Sequence, residues 1–152
     1  MKIFHFRLQQ YLDFNKQQED VQRLLLYQVR LVYKEELGRL ESLDRKIDEL
    51  VDYTKAARQN QVQIELMLMS EVYHRDLQEQ KTAQALAVEE ALGKVNAEQK
   101  VLIDIQRRRK MLERLKGRKW QEYYQNLLKK EQKELDEIGS IRFCRQQGGV
   151  LM

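Results

Sequence analysis

No proline occurs anywhere in the 152 residues of this chain. Proline costs about 3 kcal/mol in a helix interior and glycine about 1 kcal/mol relative to alanine. Only three glycines, Gly38, Gly93 and Gly117, interrupt the charged, heptad-like stretches that fill most of the sequence. Such a sequence predicts an all-α fold of long helices, with function carried by exposed helix faces that meet partners and not by an enclosed pocket.

The apolar spacing says how those helices pair. Val29, Tyr33, Leu37, Leu40, Leu43, Ile47 and Leu50 step by three or four residues, which places them along one face of a helix. Upstream, Phe4, Leu8, Tyr11 and Phe14 begin a similar stripe that Val21, Leu25 and Val32 carry on, with Gln18 and Gln28 between them as polar positions that weaken packing but fix register. The pattern loses phase over residues 54–61, so a turn is expected there, with Asn60 capping a new helix and Gln63 reaching back to it. An apolar segment follows, with Val62, Ile64, Leu66, Met67, Leu68, Met69, Val72 and Tyr73. A second seam then runs through Tyr73, Leu77, Val88, Leu92, Val95, Leu102, Ile105, Leu112, Leu115, Tyr124, Leu127, Leu135 and Ile138, under-filled around Gln80 and Gln84.

The expected organisation is a single elongated domain over 1–152, with a first helix at 3–57, a turn and tip at 58–72, a second helix at 73–141 and a flexible tail at 142–152. At 1.5 Å per residue the helices would be on the order of 75 Å and 100 Å long. Neither can bury its stripe alone. A long antiparallel two-helix coiled coil, a helical hairpin with left-handed supercoil, is the architecture that covers both.

Composition narrows the function classes. The single cysteine, Cys144, excludes an intrachain disulfide and offers no second thiol for a metal site. A reducing, cytoplasmic setting is the expectation, with neither a signal peptide nor membrane insertion. His5 and His74 lie far apart without ligand spacing, so no metal or other cofactor is expected. No phosphate-binding glycine loop, dinucleotide turn or nucleophile elbow is present. Neighbouring carboxylates such as Glu35 and Glu36 point in different directions on a helix, and catalysis is not expected.

Charge is unevenly distributed. Residues 101–152 carry 13 basic and 7 acidic side chains, against 4 and 7 in residues 59–100. The run Arg107, Arg108, Arg109, Lys110, continued by Arg114, Lys116, Arg118 and Lys119, is either a solvated helix face or a dock for an acidic surface beside Trp120, Tyr123 and Tyr124. Nucleic acid is disfavoured by the acidic residues that follow, Glu131, Glu134, Asp136 and Glu137. Near the turn, Leu50, Tyr53, Tyr73 and Leu77 would form an exposed ladder on both arms.

The string from Met111 to Arg145, with Leu112, Glu113, Leu115 and Lys116 followed by Glu131, Gln132, Leu135, Asp136 and Glu137, resembles the flagellar export protein FliJ family. The opening segment 4–20, with Phe6, Arg7, Leu8, Gln9 and Leu12, is similar to that family's first helix. The resemblance implies a non-catalytic stalk-like component of the bacterial flagellar type III export apparatus, peripheral to the cytoplasmic face of the inner membrane. Its partners would be the hexameric export ATPase FliI, whose assembly it favours, the export gate protein FlhA, and export chaperones. On this sequence the ATPase-facing residues would be Phe4, Phe6, Arg7, Leu8, Trp120, Tyr124, Leu135 and Asp136, joined by the basic run at Arg107, Arg108 and Arg109. The gate-facing residues would be Leu50, Tyr53, Tyr73 and Leu77. The free protein would be a monomer. The competing readings are the equivalent stalk protein of a virulence type III secretion system and a self-associating structural coiled coil.

Overall fold

In the computed structural model, which describes residues 3–61 and 63–148, two helices account for nearly everything: α1 (Gln9–Gln59) and α2 (Ile64–Gly148). No described residue lies in a strand, and the all-α hairpin expected from the sequence is what forms. Val62 and residues 149–152 of the expected tail lie outside the described residues. The chain divides into two units, one made of residues 18–105 and the other of the segments on either side of it.

In the 18–105 unit, α1 and α2 pack along an unbroken seam. On α1 the positions 19, 22, 26, 29, 33, 36, 40, 43, 47, 50, 54 and 57 are all buried or half-buried, and on α2 so are 67, 70, 74, 77, 81, 84, 88, 91, 95, 98, 102 and 105. Steps of three and four alternate without a break, which is the 3.5-residue repeat of a coiled coil. Cross-helix bonds set the antiparallel register. The Gln22 side-chain amide donates to the Glu98 carbonyl at 3.2 Å and to its carboxylate, the Gln84 amide donates to the Glu36 carbonyl at 2.9 Å and to its carboxylate, and Lys81 pairs with Asp44 at 2.6 Å. Leu26, Ile47, Leu77, Ala91, Val95 and Ile105 are the buried apolar side chains of this seam.

This phase corrects the stripe read from the sequence in the first part of α1. Val21, Leu25 and Val32 were expected to face the partner helix, yet all three are exposed, and the buried positions are instead Glu19, Gln22 and Leu26. In the other unit, Tyr11 and Phe14 are likewise exposed while Leu12 and Asn15 are buried. The two candidate stripes lie one residue apart. Extending the strong run at Val29, Tyr33, Leu40, Leu43 and Ile47 backwards in unbroken heptads reaches 26, 22, 19, 15 and 12, whereas joining it to 25, 21 and 14 needs an extra residue in the repeat, which locally distorts a coiled coil. Continuity overrides local hydrophobicity. The polar groups turned inward are satisfied: Glu19 accepts from Arg23, and the Asn15 side-chain amide donates to the Tyr11 carbonyl at 2.7 Å.

The element boundaries also differ from those expected. The α1 helix runs on to Gln59, because Thr54 and Ala57 fill inner positions with small side chains and keep the phase. The α2 helix starts at Ile64, so most of the segment assigned to the tip is helical, and it runs to Gly148 through the segment assigned to the tail. Gln63 receives the first helical bond, from the Met67 amide to its carbonyl at 3.2 Å, and so stands at the cap position expected of Asn60.

In the second unit, residues 3–8 precede α1 and pack on α2. The Gln9 amide bonds to the Phe6 carbonyl at 3.0 Å, a turn that leads the chain into the helix. Phe6 and Leu12 are buried. From Leu128 to Gln147 every residue of α2 is exposed. Among the described residues, no helix is long and apolar enough to cross a membrane.

Candidate functional site

The residues expected at the ATPase-facing end all lie in the unit built from 3–17 and 106–148. There the extended segment before α1 lays Phe4 against α2. Its ring meets Trp120 edge-on at 5.2 Å between centroids, and Tyr123 at 5.6 Å; Trp120 and Tyr123 lie 5.8 Å apart. Three aromatic rings at these separations form an interlocked cluster, which ties residues 3–8 to the helix without a hydrogen-bonded ladder.

Around this cluster opens a groove of about 860 Å³. Its apolar wall includes Ile3, Leu8 and Leu115, and its rim carries Arg7, Lys119 and Lys130 against the single carboxylate of Glu122. Lys119 and Glu122 pair at 2.8 Å, so Arg7 and Lys130 supply the excess positive charge. An apolar floor with a cationic rim suits an acidic segment bearing apolar side chains: burial supplies affinity, and the charges steer encounter and select the sign.

Of the expected residues, the groove brings together Phe4, Phe6, Arg7 and Leu8. Phe6 belongs to the interior and supports the wall from behind. Trp120 joins through the ring cluster and is half exposed. Tyr124 is exposed but does not line the groove; its neighbour Tyr123 does. Arg107, Arg108 and Arg109 lie outside the groove. Arg107 and Arg108 are exposed, whereas Arg109 is half-buried and grips Glu113 with two bonds of 2.9 Å. Leu135 and Asp136 lie on the fully exposed last stretch of α2. The residues the sequence reading missed, Tyr123 and Lys130, carry no distinctive local signal. The half-buried positions in this part of α2 include Arg109, Leu112, Lys116 and Tyr123, and a seam that mixes cations with apolar residues hides its phase.

In the 18–105 unit, the second expected site divides. Tyr73 lines a shallow hollow of about 730 Å³ with Leu68, Met69 and Val72, rimmed by Arg75, Asp76 and Glu79. Leu50 lines a separate groove of about 570 Å³ with Met67, Leu68 and His74. Tyr53 is exposed. Leu77, expected both in the seam of α2 and on an exposed ladder, is only 2% accessible, which corrects the ladder and keeps the seam. It occupies an inner position of the heptad phase, with His74 before it and Lys81 after it, whereas Tyr73, about 40° away around the helix, flanks that seam and stays half exposed.

No curated protein and no solved structure matches this chain significantly. One family model does, over residues 4–148, which takes in both helices, the aromatic cluster and the turn between α1 and α2. That match covers nearly the whole chain: the chain belongs to the flagellar FliJ protein family.

Proposed function

We propose that this chain, which membership of its family makes a component of the flagellar export apparatus, acts there without catalysis of its own, by docking in the hexameric export ATPase, promoting assembly of that ring, and linking it to the export gate and to export chaperones at the cytoplasmic face of the membrane.

The observation that carries the ATPase contact is the aromatic and basic groove around Phe4, Trp120 and Tyr123. A single stalk inside a six-fold ring meets six identical subunits in six non-equivalent ways, so the contact has to tolerate mismatch. Screened charges at a rim tolerate displacement better than a network of fixed hydrogen bonds. Arg7, Lys119 and Lys130 provide such a rim, and Arg107 and Arg108 extend the positive field along α2. The gate contact is assigned to Tyr53 and to the hollow of Leu68, Met69, Val72 and Tyr73, because exposed aromatic and methionine side chains adapt to a partner surface at low entropic cost. Leu77 supports that surface from inside.

Co-purification of the export ATPase and of the gate's cytoplasmic domain with this chain tests the reading. Lys119→Glu with Lys130→Glu should lose the ATPase and keep the gate domain, and Tyr53→Ala with Tyr73→Ala should do the reverse. Retention of neither partner by the wild-type chain would overturn the proposal.

A further inference from the structure

Within the 18–105 unit, α1 carries two heptad-spaced seams one residue apart, and α2 covers only one of them. The seam in use runs through Glu19, Gln22, Leu26, Val29 and Tyr33, and the idle one through Gln18, Val21, Leu25, Gln28 and Val32. Each has two polar and three apolar side chains. The seam in use holds the Gln22 bonds to Glu98, but it also draws the Glu19 carboxylate down to 3% exposure, which costs desolvation. The idle seam would set uncharged Gln18 and aliphatic Val21 in those two places. Packings this evenly matched are what a bistable element requires.

The exposed aliphatic side chains of this stretch fit the idle seam. Turning it by one residue, about 100° around the axis and about 1.5 Å along it, brings Val21, Leu25 and Val32 onto α2 and leaves Leu24 and Leu31 flanking the contact. All the aliphatic residues that lie largely exposed between Gln18 and Tyr33 are thereby covered or shielded. The two phases also meet at a common position. Glu36 follows Tyr33 by three residues and Val32 by four, both regular steps, so the turn ends at the Glu36–Gln84 contact and leaves the seam beyond it in place. One extra residue is then absorbed near Glu36 as a local distortion of the helix. Gly38 stands beside this point. A side chain there would meet nothing within 4 Å, so packing does not call for glycine, whereas its backbone freedom makes the distortion cheaper.

We propose that the stretch of α1 from Gln18 to Val32 is a two-state element, which moves between the seam in use and the idle one by a one-residue turn against α2 that is absorbed near Glu36 and Gly38. The turn exchanges the surface that α1 shows, from Val21, Leu25 and Val32 to Gln22, Val29 and Tyr33, so a partner that binds either face shifts the balance. The inference stands independently of the ATPase and gate contacts.

Disulfide trapping reads both states, since two cysteines join only when their Cα atoms come within about 7 Å. The full chain is used, with its exposed Cys144 changed by Cys144→Ser. Gln22→Cys with Glu98→Cys reports the seam in use, and Val21→Cys with Glu98→Cys reports the shifted one. Asp20→Cys with Glu98→Cys is the control for α1 lifting away, because residue 20 points outward in both phases. The Val21 pair should close about 10- to 1,000-fold more slowly than the Gln22 pair, as expected of a minor state populated at about 0.1–10%, and faster than the Asp20 pair. Gln18→Leu with Gln28→Leu, both at exposed positions, makes the idle seam wholly apolar and should speed the Val21 pair relative to the Gln22 pair at least about tenfold, with helicity kept. A Val21 pair that closes no faster than the Asp20 pair would overturn the proposal, as would a ratio that the two leucines leave unchanged.

Discussion

Tyr73 and Leu77 are one turn apart on α2 and look alike to any scale of hydrophobicity, yet one is half exposed and the other is sealed against α1. What separates them is phase. Truncating Leu77 to alanine removes buried methyl groups and leaves a cavity, a change that costs about 2–4 kcal/mol. Tyr73→Ala, at a half-exposed position flanking the seam, should cost clearly less. Urea denaturation followed by helical circular dichroism measures both, and equal costs would refute the assigned phase. The same logic explains which site residues were legible. Phe4 and Trp120 announce themselves because large aromatics are rare in a charged coiled coil. Tyr123 and Tyr124 are indistinguishable by type, and only the register places the first of them in the groove.

At the scale of the element, the sequence specified two long helices and an antiparallel return, and it left their boundaries and one of their faces open. Absence of large apolar residues over 54–61 reads as a break in phase, but Thr54, Ala56 and Ala57 with their lysine and arginine neighbours are compatible with helix, and α1 continues to Gln59. Val21, Leu25 and Val32 form a stripe as regular as the buried one, so hydrophobic spacing alone could not rank the two. The continuous heptad phase of the whole helix did. Glycine in mid-helix is a local weakness that no packing requirement here explains. A side chain at Gly93 would meet nothing within 4 Å. Gly93→Ala should therefore stabilise the protein by about 1 kcal/mol through helix propensity and reduced freedom of the unfolded chain. A thermal midpoint that falls in this variant would show that Gly93 serves a close approach to something else.

For the molecule as a whole, the proposed function rests on surfaces that its long helices leave uncovered. The groove of the unit holding residues 3–17 is apolar with a basic rim, the hollow at Tyr73 is apolar and adaptable, and α1 exposes Val21, Leu24, Leu25, Leu31 and Val32 among charged neighbours. Three chemically different surfaces suit the proposed role of bringing partners together, and the charge bias of the last third of the chain is visible in the sequence as 13 basic against 7 acidic residues. The docking of the groove in the export ATPase is the central claim, and the chain carries its own reporter, since Trp120 is its only tryptophan and sits half exposed against Phe4. Titrating the export ATPase into this protein, with a Trp120→Phe chain as the blank for the partner's own emission, should shift the Trp120 emission to shorter wavelength and saturate as the ring leaves solvent. An emission that stays unchanged while the two proteins demonstrably bind would place the contact elsewhere and contradict the assignment.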